Sequence, residues 1–222
     1  MNRLTTYPTN RPPALPLPAG GLLSSYNPAT MYGEAHSGSL TTPGGAIYWL
    51  CQNGAAHASP DTTGGSLSPE ELAAFAALKT DKRRRDWLLG RLTAKRLLRR
   101  VLADLGHDLP PDGIVVLRHA DGWPQVSLPA LGDAAPALTL SISHAGKWAF
   151  CAAMLGESRP LGCDIEAIEP RSDGFIEDYF TAAERELVAQ AFSLHHVYAN
   201  AIWSGKEAAL KAIRRGLAED TR

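Results

Sequence analysis

The chain has 222 residues, which suit one large domain or two small ones. With 45% hydrophobic and 20% charged residues it can bury a sizeable core, so a protein that is disordered throughout is excluded. Its 22 Lys and Arg nearly balance 23 Asp and Glu, and the formal net charge of -1 excludes a globally basic nucleic-acid binder and a globally acidic solvating protein.

The beginning of the chain differs from the rest. Residues 1–45 are rich in Pro, Gly, Ser and Thr, and their only acid is Glu34. A segment of this composition has little apolar surface to bury and much conformational entropy to lose on folding. Residues 1–45 are therefore predicted to be disordered, and the ordered chain is predicted to begin with a strand over residues 46–51.

Cysteine usage and hydropathy indicate the compartment. Cys51, Cys151 and Cys163 lie in apolar, strand-like runs, and their odd number at these spacings argues against a disulfide framework. Buried free thiols are the expected state. No apolar run approaches the ~20 residues that span a bilayer, and the N-terminal residues do not resemble a secretory signal. A cytoplasmic location without membrane contact is expected.

Helix starts are recognisable from their capping residues. Ser68–Glu71 reads Ser-Pro-Glu-Glu, which places a capping Ser before a Pro and two acids in the first turn. Apolar residues at helical spacing then predict a long helix over about 82–105, closed by Gly106. Thr181 with Glu184 three residues later predicts the capping box of another helix.

The strands predicted after the long helix are short and rich in β-branched and aromatic residues. They cover residues 114–117, 138–143, 148–153 and 161–165, and the last two predicted helices cover about 181–192 and 195–215. Strands and helices that follow each other without strict alternation indicate an α+β fold.

The near-neutral charge conceals a strong segregation. Residues 79–100 hold ten of the 22 basic residues and only two acids. The ten are Lys79, Lys82, Arg83, Arg84, Arg85, Arg91, Lys95, Arg96, Arg99 and Arg100. From Glu157 to the last residue there are twelve acids and eight bases. One part of the chain is therefore suited to bind anions, and another is suited to bind cations.

Two carboxylates stand at the end of a predicted strand. The strand period of two puts Asp164 and Glu166 on one face, ~7 Å apart. Like charges at this distance repel each other unless a cation lies between them, and hard oxygen ligands suit Mg²⁺ or Mn²⁺. An ordinary exposed pair on an edge strand remains the alternative for these two residues alone.

Two further pairs could carry chemistry. Glu207 and Lys211 lie one turn apart on the last predicted helix. They could form an ordinary surface ion pair. Alternatively, Glu207 could be a third functional carboxylate, with Lys211 beside it as a cation for phosphate oxygens. Ser143 and His144 close a predicted strand, either as phosphate donors or as a capping Ser and a satisfied His. No Gly-x-Ser-x-Gly elbow and no glycine-rich phosphate loop is present, so any nucleotide would be held by side chains and metal.

At these motifs the chain resembles the 4′-phosphopantetheinyl transferases. Leu161–Glu166 and Trp203–Ala212 resemble the two signature motifs of that family, and Ser141–His144 resembles its third. The larger, monomeric surfactin-synthetase-activator type is matched by Leu88–Lys95, Gly122–Pro124 and Phe180–Glu184. The resemblance covers roughly residues 46–217.

The resemblance implies a role for each matching residue. Asp164, Glu166 and Glu207 would bind Mg²⁺, with Mn²⁺ as a substitute, on the pyrophosphate of coenzyme A. Glu207 would also be the base, and Lys211 would stabilise the phosphate that is left behind, so these two are the catalytic residues. Coenzyme A would be bound by Arg118, Ser143, His144, Lys206 and Lys211.

The reaction that the resemblance implies is an in-line attack by a serine hydroxyl on the pantetheine-side phosphorus of coenzyme A. The serine belongs to an apo acyl carrier or peptidyl carrier protein, and 3′,5′-ADP is released. Coenzyme A and a carrier protein are therefore the expected partners, with no nucleic acid and no membrane, and the chain is expected to be a monomer.

The family fold is a pseudo-dimer of two similar α+β halves with the coenzyme in the cleft between them. Residues 46–158 would form the first half and residues 159–222 the second. Family members continue with several strands beyond the position of Arg222, so the second half is expected to be incomplete, truncated at its C-terminus.

Two alternatives stay open at this point. The first is a truncated relative that binds coenzyme A or a carrier protein without turnover. The second is a nucleic-acid-binding module that uses residues 79–100, whose affinity would fall steeply with salt.

Overall fold

The mixed α+β class predicted from the sequence is confirmed. The computed structural model describes residues 32–54, 65–156 and 159–214. In these ranges six strands form a four-stranded antiparallel sheet of order β1-β2-β6-β5 and a separate β3-β4 hairpin, and five α-helices surround them. Among the described helices, none is long and apolar enough to cross a membrane.

The strands are β1 (Tyr32–Thr42), β2 (Gly45–Gly54), β3 (Val115–Arg118), β4 (Pro124–Ser127), β5 (Leu138–Ala145) and β6 (Trp148–Leu155). The helices are α1 (Pro69–Ala76), α2 (Asp81–Asp104), α3 (Asp173–Tyr179), α4 (Ala182–Gln190) and α5 (His195–Ile213). Short 3₁₀ turns lie at Pro111–Gly113, Pro129–Ala134 and Phe192–Leu194.

The first strand lies in a segment that was predicted to be disordered. β1 pairs with β2 in an antiparallel hairpin, and Gly38 lies opposite Trp49. A Cβ at Gly38 would be 2.9 Å from the indole, so glycine leaves room for that ring. The prediction of disorder is therefore wrong for residues 32–45, because a polar strand gains its order by pairing with the apolar strand β2. Residues 1–31 lie outside the described residues.

Helix α2 covers one face of the central sheet, as its apolar period predicted. Thr80 caps the helix by accepting a hydrogen bond from the N–H of Arg83, and Gly106, at φ 85°, lies just beyond its C-terminal end. The buried stripe of α2 packs against β2, β5 and β6. This main core includes Leu50, Ala94, Leu97, Leu98, Val101, Leu102, Ile114, Val116, Leu140, Cys151 and Ala153.

Helix α1 begins at its predicted cap. Ser68 Oγ accepts from the N–H of Glu71 at 3.3 Å, and the Glu71 carboxylate accepts from the N–H of Ser68 at 2.9 Å, which completes a capping box. The same carboxylate is fully buried and also accepts from Lys95 Nζ and from the N–H of Val116. Glu71 therefore joins α1, α2 and β3 at one point.

Residues 159–172 form an irregular segment, which three helices follow in residues 173–213. Helix α4 begins with the predicted capping box of Thr181 and Glu184. Helix α3 was not predicted, because its seven residues are too few to show a helical period. The helices pack around a separate core of Phe180, Val188, Ala199 and Trp203.

The prediction of a strand over residues 161–165 is wrong. Residues 161–165 have no regular secondary structure and belong to the irregular segment, which runs beside β5, where three hydroxyls on one face of that strand accept its N–H groups. The pairs are Thr139 Oγ1 with Arg159 N (3.2 Å), Ser141 Oγ with Cys163 N (3.0 Å) and Ser143 Oγ with Ile165 N (3.4 Å). Side-chain oxygens take the place of a neighbouring strand's carbonyls. We call Thr139, Ser141 and Ser143 the hydroxyl ladder.

Candidate active site

Gly162 brings the irregular segment into backbone contact with α5. A Cβ at this position would be 1.8 Å from the carbonyl oxygen of Ala208 and 2.8 Å from the amide nitrogen of Ala212. Only glycine allows this approach without displacing one of the two backbones. The contact fixes the segment against the helix two residues before Asp164.

Asp164 is the centre of a hydrogen-bonded cluster. Its carboxylate is 4% exposed, and Oδ1 accepts from Ser143 Oγ and from Lys211 Nζ, each at 2.6 Å. Lys211 Nζ also donates to Ser143 Oγ at 3.1 Å. Strand β5, the irregular segment and α5 supply one member each. Three of the predicted site residues, distant in sequence, are therefore in direct contact.

Glu207 and Glu166 carry negative charge close to this cluster. Partial burial raises the pKa of Glu207 above its ordinary value, Lys211 lowers that pKa in part, and the charges of Asp164 and Glu166 raise it further. The three predicted carboxylates thus lie within Coulombic range of one another. Such a concentration of negative charge is the condition that a bound cation relieves.

An arginine that sequence reasoning missed holds Glu166. Arg171 Nη2 donates to Glu166 Oε2 at 2.9 Å, and its Nε donates to Asn200 Oδ1 at 2.8 Å. Asn200, on α5, is 2% exposed and donates to two backbone carbonyls at 2.7 Å. This network links the irregular segment to α5 a second time. The sequence did contain a sign of this role, because residues 160–184 hold seven acids and Arg171 is their single basic residue.

The donor set fits a hard divalent cation. Asp164 Oδ2 is buried and accepts no hydrogen bond from the residues that the structure describes, which is an unfavourable state for a carboxylate oxygen. Glu166 and Glu207 place further carboxylate oxygens in the same region. Within the part of the chain that the structure describes, however, no group of three His, Cys, Asp or Glu side chains is close enough to hold a metal ion. The predicted ligands are brought together without forming a coordination shell.

Ser143 and His144 are neighbours in sequence but lie on opposite faces of the sheet. Strand β5 extends to Ala145, so side chains still alternate at these positions. Ser143 faces the irregular segment, whereas the half-exposed imidazole of His144 faces α2, with Nδ1 4.0 Å from Asp86 Oδ2. The structure does not bring the two residues together at one point.

Lys206 and Arg118 are engaged elsewhere. Lys206 Nζ forms an ion pair with Glu184 Oε2 at 2.8 Å and lies over the ring of Phe180, so it ties α5 to α4. Arg118 is exposed at the end of β3, where its guanidinium packs against the turn at Gly122. Of the five predicted coenzyme contacts, only Ser143 and Lys211 belong to the Asp164 cluster.

An open cavity of about 670 Å³ lies beside the β3-β4 hairpin. On its wall, His119 stacks on Trp123 with ring centroids 4.1 Å apart, and the guanidinium of Arg214 lies 4.5 Å from the centre of the same indole. A stacked aromatic and cationic surface suits a planar base that is attached to a negatively charged group. A smaller groove of about 470 Å³ reaches Asp164 between α5 and the outer face of the sheet.

The basic residues of α2 do not form one anion-binding face. Burial lowers the pKa of Arg91 to about 10, and its guanidinium stacks on Trp87. Other side chains leave the helix towards different elements: Lys95 to Glu71 of α1, Arg96 to Gln52 of β2, and Arg100 to Ser37 of β1. The charge run seen in the sequence is therefore divided between core contacts and separate surfaces.

Comparison with known proteins agrees with the motifs. Residues 160–222 match the sequence model of the 4′-phosphopantetheinyl transferase superfamily. A 4′-phosphopantetheinyl transferase of Bacillus subtilis is 31% identical over 150 residues, which cover 66% of this chain and 63% of that protein. One from Bacillus pumilus is 29% identical over 57% of this chain and 50% of its own length. The transferase Sfp of Bacillus subtilis strain 168 is 34% identical over 40% of this chain and 38% of its own length.

Among solved structures, the apo form of ACPS from Chronobacterium ammoniagenes is 24% identical, with a TM-score of 0.37, and the match covers 42% of this chain and 79% of that one. The complex of the same protein with CoA is 22% identical, with a TM-score of 0.37 and coverage of 45% and 84%.

The resemblance seen in the motifs is confirmed: the chain resembles the 4′-phosphopantetheinyl transferase superfamily, whose sequence model matches residues 160–222. Within that superfamily it is similar to the Sfp-type proteins of Bacillus. The chain spans between 38% and 63% of the length of the curated relatives that it matches.

Proposed function

We propose that the chain transfers the 4′-phosphopantetheine group of coenzyme A to a serine of an apo acyl carrier or peptidyl carrier protein and releases 3′,5′-ADP. The observation that carries the proposal is the contact of Ser143, Asp164 and Lys211, with Glu166 and Glu207 in Coulombic range. These residues come from the motifs on which the family resemblance rests, and the curated relatives bear the name of this activity.

The reaction exchanges one phosphorus–oxygen bond for another. The serine oxygen bonds to the pantetheine-side phosphorus, and the bond from that phosphorus to the bridging oxygen breaks, with its electron pair leaving on the nucleotide phosphate. Glu207 is the proposed acceptor of the serine proton, because its carboxylate lies within Coulombic range of Asp164, Glu166 and Lys211. Lys211 is the proposed cation for the charge that develops on the phosphate.

Mg²⁺ is part of the proposal because of the donor set. Asp164, Glu166 and Glu207 would hold it, and Asp164 Oδ2 is an oxygen that has no hydrogen-bond partner within the described part of the chain. The ion would neutralise negative charge on the pyrophosphate oxygens when bound. Lys211 donates to Asp164 and Arg171 donates to Glu166, so protein donors hold both carboxylates.

The residue proposed to contact the nucleotide end of coenzyme A lies outside the Asp164 cluster. Arg118 adjoins the cavity that contains Trp123 and is proposed to contact the nucleotide. His144 and Lys206 would have to leave Asp86 and Glu184 before they could do so. The three free cysteines suggest a reducing compartment, and we propose that the chain acts in the cytoplasm as a monomer.

The test separates turnover from binding. The purified chain is incubated with an apo carrier protein, coenzyme A and Mg²⁺, and the intact mass of the carrier is recorded, with EDTA as the control. A gain of one phosphopantetheine group that EDTA abolishes is expected. No gain, together with coenzyme A binding in calorimetry, would instead establish the alternative of a relative that binds without turnover.

The structure gives no support to the nucleic-acid alternative. Side chains of residues 79–100 leave α2 in different directions, and Lys95 and Arg91 are buried. An affinity for DNA or RNA that falls steeply as the salt concentration rises would be evidence for that alternative.

A further inference from the structure

We propose that Ser143 is a positioning residue of this site and not a contact for a coenzyme phosphate. Its hydroxyl is hydrogen-bonded to both Asp164 and Lys211 and fixes the orientation of the Asp164 carboxylate, so that the second oxygen of Asp164 is available to a divalent cation. The inference rests on the proposed function for the identity of the site, and it replaces the role that the family resemblance implies for Ser143.

The hydrogen-bonding capacity of the Ser143 hydroxyl is already used. A hydroxyl has one proton to donate and two lone pairs that accept. The proton goes to Asp164 Oδ1 at 2.6 Å, and the lone pairs accept from Lys211 Nζ at 3.1 Å and from the N–H of Ile165 at 3.4 Å. The side chain is 6% exposed. A phosphate oxygen could accept from Ser143 only if the bond to Asp164 were broken.

The bond to Ser143 determines which oxygen of Asp164 remains available. Oδ1 accepts from two donors, whereas Oδ2 is buried and accepts from none of the donors in the described residues. Partners that orient a ligating carboxylate are typically worth 10- to 100-fold in metal affinity. Ser143 is placed to act in this way, since it also fixes the backbone at Ile165, one residue beyond Asp164.

The hydroxyl ladder supplies a matched control. Ser141 lies two residues earlier on the same face of β5, is equally buried, and accepts the N–H of Cys163. Like Ser143, it therefore accepts a hydrogen bond from the backbone of the irregular segment, but it does not donate to Asp164. A purely structural role for the ladder predicts similar effects at both serines, whereas a positioning role predicts an effect on cation binding at Ser143 alone.

The experiment measures binding of Mn²⁺ alone, by electron paramagnetic resonance, and of 3′,5′-ADP in EDTA, by calorimetry. Ser143→Ala is expected to weaken Mn²⁺ binding by about tenfold and to leave 3′,5′-ADP binding unchanged. Ser143→Cys keeps the size of the side chain but donates weakly, so it is expected to show the same pattern even if the alanine variant folds poorly. Ser143→Thr keeps the hydroxyl and is expected to restore Mn²⁺ binding, and Ser141→Ala to leave it unchanged.

Three results would overturn the inference. Loss of 3′,5′-ADP affinity with normal Mn²⁺ affinity in Ser143→Ala would make the residue a ligand contact. Unchanged binding of both would show that it positions nothing, and an equal loss of Mn²⁺ affinity in Ser141→Ala would make the role structural. Failure of the proposed function looks different, because the unaltered chain would then load no carrier protein while Ser143→Ala still weakened Mn²⁺ binding.

Discussion

Gly162 shows how one absent Cβ places a functional side chain. Its backbone packs so closely on α5 that a Cβ would be 1.8 Å from the carbonyl oxygen of Ala208. We expect Gly162→Ala to lower the free energy of unfolding by about 1–3 kcal/mol through overpacking, and to separate Asp164 from Lys211. Urea denaturation measures the first effect.

Gly205 lies on α5, the helix that Gly162 contacts, and is the control for this prediction. A Cβ at Gly205 would meet no atom within 4 Å. Gly205→Ala is therefore expected to raise the free energy of unfolding by about 0.5–1 kcal/mol, because alanine loses less conformational entropy in a helix. Equal stability of the two alanine variants would contradict the close contact at Gly162.

The thiol beside Asp164 gives a dependence of stability on pH. Burial raises the pKa of Cys163 to about 11, against about 8.5 for an ordinary thiol. Between these values the folded chain keeps a proton that the unfolded chain loses. The part of the folding free energy that depends on this proton is therefore complete below about pH 8.5, and it is lost as the pH rises towards 11. Thermal unfolding midpoints between pH 7.5 and 10.5 should fall less steeply for Cys163→Ala. Parallel curves would be evidence against the raised pKa.

At the scale of elements, the buried pair of Glu71 and Lys95 holds α1 against α2 and the β3-β4 hairpin. Removing one partner leaves an uncompensated buried charge, so Lys95→Met alone is expected to cost about 3–5 kcal/mol of folding free energy. The double variant with Glu71→Gln is expected to lose less than the sum of the two single variants. Guanidinium denaturation of all four proteins completes the cycle, and strict additivity would show that the two side chains do not act as a pair.

The sequence predicts the elements whose signals are local. The caps at Ser68 and Thr181 mark α1 and α4 because a cap and its partner are three residues apart. The pairing of Lys95 with Glu71 was not predictable, because it joins residues 24 positions apart. Residues 161–165 have an apolar pattern typical of a strand, but only the three-dimensional fold shows that hydroxyls of β5 replace the partner strand.

The candidate site was predictable in part for the same reason. The family motifs singled out Ser143, Asp164 and Lys211, which the structure joins. His144 was expected to share a site with Ser143 at the end of the strand. Because β5 continues to Ala145, the two side chains lie on opposite faces of the sheet instead. Arg171 had no motif of its own, since its role arises from contacts with Glu166 and Asn200.

At the scale of the whole molecule, the candidate site lies at the junction of the sheet and the C-terminal helices. The hydroxyl ladder of β5 holds the irregular segment from one side, and α5 holds it from the other through Gly162 and Arg171. Asp164 is fixed between them. The cluster is therefore a product of the assembled fold, and any change that loosens α5 from β5 is expected to weaken it before it unfolds the main core.

Loading of a carrier protein by an Asp164 variant tests the central claim most directly. The unaltered chain, Asp164→Ala and the control Asp178→Ala, which removes an exposed carboxylate of α3, are each incubated with apo carrier protein, coenzyme A and Mg²⁺. Intact-mass analysis is predicted to show one added phosphopantetheine group with the unaltered chain and with Asp178→Ala, and none with Asp164→Ala. Loading by Asp164→Ala at the rate of the unaltered chain would contradict a transfer site centred on Asp164.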